Sequence, residues 1–313
     1  MRPYAFLISM ATHLIDLPLR GGGGEPVLLA RTLVSHGVAS LPPAQIDETA
    51  WTLQTTLPVP RGARTVFVSP GAGDTARIEV VGGTVSDRVR NALLDQLRHM
   101  FQLDEDLSAF YAVAREDGDL AWAAAGAGRM LRSPTVFEDV VKTICTTNCA
   151  WGGTVRMVTA LVEHLGTPAT GTRLRTFPSP RAMAEAGEAF YRDEARAGYR
   201  GAYLRQLAGD VASGALDLER LNDRELSDEE VESALLALPG VGPYAAAHVM
   251  LTSLGRYSRL VLDSWTRPTY AALVGRKEVA DKTISRRFAR YGSYAGLAFW
   301  LRLTQRWVPE DTG

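Results

Sequence analysis

Residues 238–251 read LPGVGPYAAAHVML, and this stretch decides how the second half of the chain folds. One proline and two glycines separate two apolar runs, and a second proline follows at once. Before them, DEEVESALLA (228–237) starts acidic and carries Val231, Ala234, Leu235 and Leu236 at spacings that recur on one helix face. After them, AAAHVMLTSL is short-chained and apolar, with no breaker until Gly255. Pro239 and Gly240 end the first helix, Gly242 permits a tight backbone path, and Pro243 suits the first turn of the second. The stretch predicts a helix, a short hairpin and a second helix over about 231–253. Such a hairpin bares backbone N–H groups at the positive end of a helix, an arrangement that suits an anion such as a DNA phosphate. A plain corner between two helices reads the same way.

Working outward, 313 residues leave room for two domains, and 46% hydrophobic with 22% charged residues is the balance of an ordinary globular chain. No run approaches the roughly 18–20 apolar residues of a membrane span. The opening MRPYAFLISMATHLIDLPLR has a short apolar stretch broken by His13 and Asp16; we read it as a strand of the mature protein and the chain as cytoplasmic. Cys145 and Cys149, the only cysteines, are expected to be reduced core residues on a helix and are too few for an iron–sulfur cluster. No cofactor or metal site is expected from the residues. The net charge is −1, yet Leu254–Val308 carries eleven Lys or Arg against three Asp or Glu. That basic segment fits a nucleic-acid face, and it equally fits a solvated helix surface.

Residues 1–105 predict a small sheet domain: ARTLVSHGV, TVFVSP and ARIEVVGG read as strands, and VSDRVRNALLDQLRHMF as an amphipathic helix. From about 106 to 313 the pattern is helical, including SPTVFEDVVKTICTTNCA, GTVRMVTALVEHLG, SPRAMAEAGEAFYRDEARAG and YAGLAFWLRLTQRW. The predicted fold class is α+β, a small antiparallel-sheet domain followed by an all-helical one. Downstream of the hairpin, LGRYSRLVLDSWTRP places Asp263 twenty-one positions after Gly242, behind the apolar run Leu260, Val261, Leu262. A carboxylate in such company caps a helix, does chemistry, or both.

LPGVGPYAAAHVM followed by LVLDSWTR resembles the helix-hairpin-helix (HhH-GPD) superfamily of DNA glycosylases. MFQLDEDLSAFY, GRMLRSPTVFEDVVKTICTTN, ARAGYRGAYL and YGSYAGLAFW follow the order and rough spacing of its 8-oxoguanine branch, so the resemblance covers about 100–305. It implies damaged double-stranded DNA as partner, a monomer acting at the nucleoid, and no cofactor. It implies that the amides of Gly240, Gly242 and Tyr244 hold a phosphate, with a monovalent cation on the carbonyls of Leu238 and Val241. Asp263 would support cleavage of the N-glycosidic bond, Tyr199 would wedge into the opened duplex, Arg200 would contact the orphaned base, and Asn148 would help fill the gap. Plain structural roles for these three are a packed tyrosine, a surface arginine and a capping asparagine.

Two departures bear on chemistry. Where bifunctional relatives carry a hairpin lysine this chain has Tyr244, and its only lysines are Lys142, Lys277 and Lys282. A Schiff-base route is therefore not expected. At the base-reading glutamine stands Phe299. A pocket walled by Tyr244, Trp151, Phe299 and Trp300 would be aromatic and would favour cationic rings such as N-alkylated purines. The expected function is a monofunctional glycosylase for alkylated purines. The alternatives are 8-oxoguanine removal and a non-catalytic DNA-binding protein.

Overall fold

The computed structural model describes residues 13–308. The N-terminal part is a five-stranded antiparallel sheet in the order β1-β5-β4-β3-β2, formed by His13–Pro18, Gln45–Asp47, Thr52–Val59, Gly62–Pro70 and Thr75–Val80 (β1 to β5 in chain order). Of the opening stretch read as a strand, residues 13–18 are β1 and residues 1–12 lie outside the described residues. Facing pairs such as Leu53–Val68 and Val66–Val80 keep one face of the sheet apolar. Helix α2, Asp87–Met100, closes that face with Leu93 and Leu97, both fully buried, and Ser86 caps its first turn.

One predicted strand is not a strand. ARTLVSHGV holds the short helix α1, Leu29–Leu33, then an extended residue at His36 and a single turn at Gly37–Ser40. Leu29 and Leu33 repeat at helical spacing and both are buried, and this packing overrides the strand preference of Thr32 and Val34. Tertiary bonds then set the path of the chain: Trp300 Nε1 donates to the Ser35 carbonyl at 2.7 Å, and the Ser35 hydroxyl accepts from Leu131 N at 2.9 Å.

The remainder is helical: α3 Ser108–Arg115, α4 Val136–Thr146, α5 Trp151–Leu165, α6 Pro180–Glu185, α7 Arg200–Ala212, α8 Asp228–Leu236, α9 Pro243–Thr252, α10 Thr266–Leu273, α11 Asp281–Phe288 and α12 Ala295–Thr304. The single helix expected over 179–198 is broken: α6 stops at Glu185, and a wider turn follows at Phe190–Glu194. Cys145 is buried in α4, whereas Cys149 lies in the loop beyond it; both are free thiols. Helix α9 is apolar all round because it separates two cores. Its Ala245, Ala246, Val249 and Met250 pack with α4, α5, α7 and α8, while Ala247 and Leu251 pack with α3 and α10 to α12.

Candidate functional site

The hairpin is built from its ends. Ser227 and Glu230 form a reciprocal capping box that starts α8, and Val231 and Leu235 are its buried face, with Leu236 left 42% exposed. Gly240 takes φ +81°, and Gly242, in extended backbone, precedes Pro243 at the start of α9. Across the turn, Val241 N donates to the Leu238 carbonyl at 3.2 Å and Ala246 N to that of Gly242 at 2.9 Å. Among the described residues no bond across the hairpin uses the N–H of Gly240 or Gly242, and Tyr244 lies in the first helical turn, where N–H groups lack intrahelical partners.

A Cβ on Gly240 would lie 2.8 Å from the Tyr203 ring and 3.4 Å from Ile144, so α7 and α4 close tightly on the hairpin. We predict that Gly240→Ala loses on the order of 1–3 kcal/mol in urea unfolding, through positive φ and this clash. Gly242→Ala meets nothing within 4 Å and should fold almost as well as the parent. Equal unfolding midpoints for the two would refute this account of the turn.

Asp263 is half-buried at the turn that opens α10. Its Oδ1 accepts from Trp265 N at 2.8 Å and Thr266 N at 2.6 Å, and the Thr266 hydroxyl accepts from Asp263 N at 2.8 Å. The cap therefore uses one carboxylate oxygen, and Oδ2 takes no part in it. Tyr244 is close enough to feel this carboxylate: burial raises its phenol pKa, the Asp263 charge raises it further, and a bond to the Thr146 hydroxyl (3.3 Å) opposes both.

The residues expected to form a wedge gather at the start of α7 and the loop after α4. Tyr199 is 55% exposed, and exposed Asn148, at φ +46°, donates to its hydroxyl at 3.5 Å. Arg200 differs from expectation. Only 7% exposed, it donates to the carbonyls of Thr147 and Asn148 and lies 4.6 Å from the Tyr199 ring centre. It braces the Asn148 loop and backs Tyr199, leaving the guanidinium turned away from any partner outside.

The aromatic expectations divide. Phe299 is fully buried, packed on Phe288 (5.1 Å) and Tyr270 (5.9 Å); it is core and offers no face to a ligand. Trp151 is half-exposed beside Gly37, and Trp300 joins a cluster with Trp265 (5.6 Å) and Trp307 (6.2 Å). Two histidines not singled out from sequence complete it. His248 lies between Tyr244 (5.8 Å), Trp300 (6.4 Å) and His36 (5.7 Å), joining the hairpin to the tryptophans. Burial pushes His248 down to about 3, helped by His36, and holds His36 below the ordinary imidazole value, so both are neutral at pH 7. The available signal was a lone polar residue in the apolar AAAHVML run.

Two clefts open near Tyr244 and these tryptophans. The larger, about 550 Å³, is bordered by Tyr244, Arg259, Arg267 and Asp281, and its charges are paired: Arg267 with Asp281 at 2.8 Å and Arg259 with Glu232 at 2.7 Å. The smaller, about 240 Å³, lies between His36, Gly37, Ile46 and Trp307. Lysine is absent from both linings, and Lys142 is buried in an ion pair with Glu138 at 2.6 Å. Among the described residues there is no group of three or more His, Cys, Asp or Glu placed to hold a metal, and no helix is long and apolar enough to cross a membrane.

The hairpin, the carboxylate after it and the sheet placed before the helices stand in the order that the sequence resemblance implies, and the chain is similar to known DNA glycosylases. The chain is 30% identical over 224 residues to the N-glycosylase/DNA lyase OGG1 of Arabidopsis thaliana, covering 66% of this chain and 59% of the relative. It is 25% identical over 204 residues to a probable N-glycosylase/DNA lyase of Methanothermobacter thermautotrophicus, covering 58% and 64%. It thus spans less than two thirds of these curated relatives. No family model matches it. Its fold is that of the 3-methyladenine DNA-glycosylase from Archaeoglobus fulgidus (TM-score 0.71, 20% identity, 94% of this chain and 98% of that one). It is also that of the Clostridium acetobutylicum 8-oxoguanine glycosylase/lyase in complex with DNA (TM-score 0.67, 21% identity, 90% and 93%).

Proposed function

We infer that this chain is a monofunctional base-excision-repair glycosylase acting on N-alkylated purines in double-stranded DNA. The observation that carries the reading is Asp263 beside a hairpin whose lysine position is held by Tyr244, next to an aromatic cluster with two neutral histidines. The hairpin N–H groups would hold a phosphate, and a cation on the carbonyls of Leu238 and Val241 would add positive charge there. The Leu238 carbonyl already accepts one hydrogen bond and keeps a second lone pair for such an ion. Tyr199 would fill the space left when the base leaves the stack, which costs a few kcal/mol.

An N-alkylated purine nucleotide is cationic, so it leaves as a neutral base without needing a proton. The electron pair of the N-glycosidic bond departs with the base, and positive charge develops on the deoxyribose. Asp263 would stabilise that charge while water adds its oxygen to C1′ and loses a proton to solvent. Neutral imidazoles and aromatic faces do not repel a cationic ring. No amine stands in the hairpin to capture the sugar, so the product is an intact strand bearing an abasic site.

A second reading, removal of 8-oxoguanine, is favoured by the fold shared with the Clostridium acetobutylicum 8-oxoguanine glycosylase/lyase, and the curated relatives named N-glycosylase/DNA lyase favour strand cleavage. Single-turnover reactions on duplexes carrying 3-methyladenine, 7-methylguanine or 8-oxoguanine separate the two. We expect alkylpurine release seen as strand breaks only after alkali. Breaks without alkali would refute the monofunctional mechanism, and release of 8-oxoguanine alone would refute the substrate.

A further inference from the structure

Helix α11 turns three different faces to its surroundings. Ile284 and Phe288 are buried in the core, while Asp281, Ser285 and Ala289 line the larger cleft across from Pro243 and Tyr244 of the hairpin. At about 100° per residue, Lys282 and Arg286 stand one step round from Asp281 and Ser285, on the outer rim of that cleft. Both are exposed, and among the described residues neither makes an ion pair.

The charges around them are already taken. Asp281 pairs with Arg267 at 2.8 Å, and across the cleft Arg259 pairs with Glu232 at 2.7 Å. Arg290 pairs with Asp117, and Arg287, on another side of α11, acts on the same carboxylate. Lys282 and Arg286 are left as two uncompensated cations one turn apart, about 6 Å along the helix axis. Like charges at that spacing destabilise an isolated helix, and an anion laid along them relieves the repulsion. Their separation is comparable with that of successive phosphates on one DNA strand.

We propose that α11 is a second backbone contact for duplex DNA, with Lys282 and Arg286 holding neighbouring phosphates of the duplex whose backbone also sits on the hairpin. This rests on the glycosylase reading above for the ligand of the hairpin. It adds the path of the duplex beyond that point, across a cleft whose own charges are paired to the rim of α11. Phosphate contacts of this kind fix position and affinity without reading sequence, and each releases condensed counterions.

Fluorescence anisotropy of an end-labelled, undamaged duplex between about 50 and 200 mM salt tests this without needing catalysis. In Lys282→Ala/Arg286→Ala the slope of log affinity against log salt should flatten by about 1.8, or about 0.9 per phosphate contact. Binding at about 0.1 M salt should weaken by about ten- to a hundredfold. Arg287→Ala removes a charge from the same helix away from the cleft and should keep a slope close to the parent's. An unchanged slope in the double variant, or the same loss per charge in Arg287→Ala, overturns the proposal and leaves α11 a solvated face. Acetylation of the parent protein needs no variant. Lys142 is buried and Lys282 exposed, so duplex DNA should slow modification of Lys282, and an equal rate with and without duplex also overturns the proposal. The lesion duplexes run in parallel. A slope that depends on Lys282 and Arg286 without base release would sustain this contact and refute the glycosylase reading, whereas base release with an unchanged slope would do the reverse.

Discussion

Asp263→Asn should fold like the parent and lose about 10²–10³-fold in the rate of base release. The asparagine amide oxygen can still accept from the N–H groups of Trp265 and Thr266, now at 2.8 and 2.6 Å, so the start of α10 survives. What disappears is the negative charge. Asp263→Ala removes charge and cap together and should cost in addition about 1 kcal/mol of stability. Single-turnover kinetics and urea midpoints on the same preparations separate the two roles. A fully active Asp263→Asn would reduce Asp263 to a cap and refute its part in breaking the glycosidic bond.

The two buried histidines should make the fold acid-sensitive well above the carboxylate range. In the folded chain burial keeps His36 and His248 neutral, with His248 pushed down to about 3. In the unfolded chain both titrate near the ordinary value of about 6.5. Below that pH the unfolded state binds protons that the folded state refuses, so stability is complete above about pH 6.5 and falls as pH drops toward the folded values. The slope approaches about 1.4 kcal/mol per pH unit for each histidine. Asp139 and Lys142 act on His36 in opposite directions, and His36 itself lowers His248. Urea midpoints between pH 7.5 and about 4.5 should decline steeply in the parent and less in His248→Gln. An equal slope in that variant would show that other groups govern acid unfolding.

How much of this could be read from the residues follows from what constrains each position. The hairpin was legible because proline and glycine act on their own backbone: Gly240 adopts a φ of +81° that other residues resist, and Pro243 begins a helix. Asp263 was legible as a lone carboxylate behind an apolar run, and of the two offered roles the cap is the one its hydrogen bonds form. The direction of a side chain was not legible. Arg200 turns inward because two carbonyls of a loop some fifty positions earlier accept its hydrogen bonds. Phe299 is lost to the core through rings on α10 and α11. His36 stood inside a run that read as strand, and its neighbour His248 lies far along the chain; only the fold brings the rings within 5.7 Å.

The tyrosines of α7 carry one mechanical consequence. Tyr199 and Tyr203 stand one turn apart in edge contact at 5.8 Å, and Tyr203 presses on Gly240 where no side chain would fit. Force applied to the exposed Tyr199 ring therefore passes through a single stiff strut to the turn between α8 and α9. If the proposed function holds, probing a duplex for a weak base pair and gripping its backbone would not be independent events: whatever seats the probe would also load the clamp.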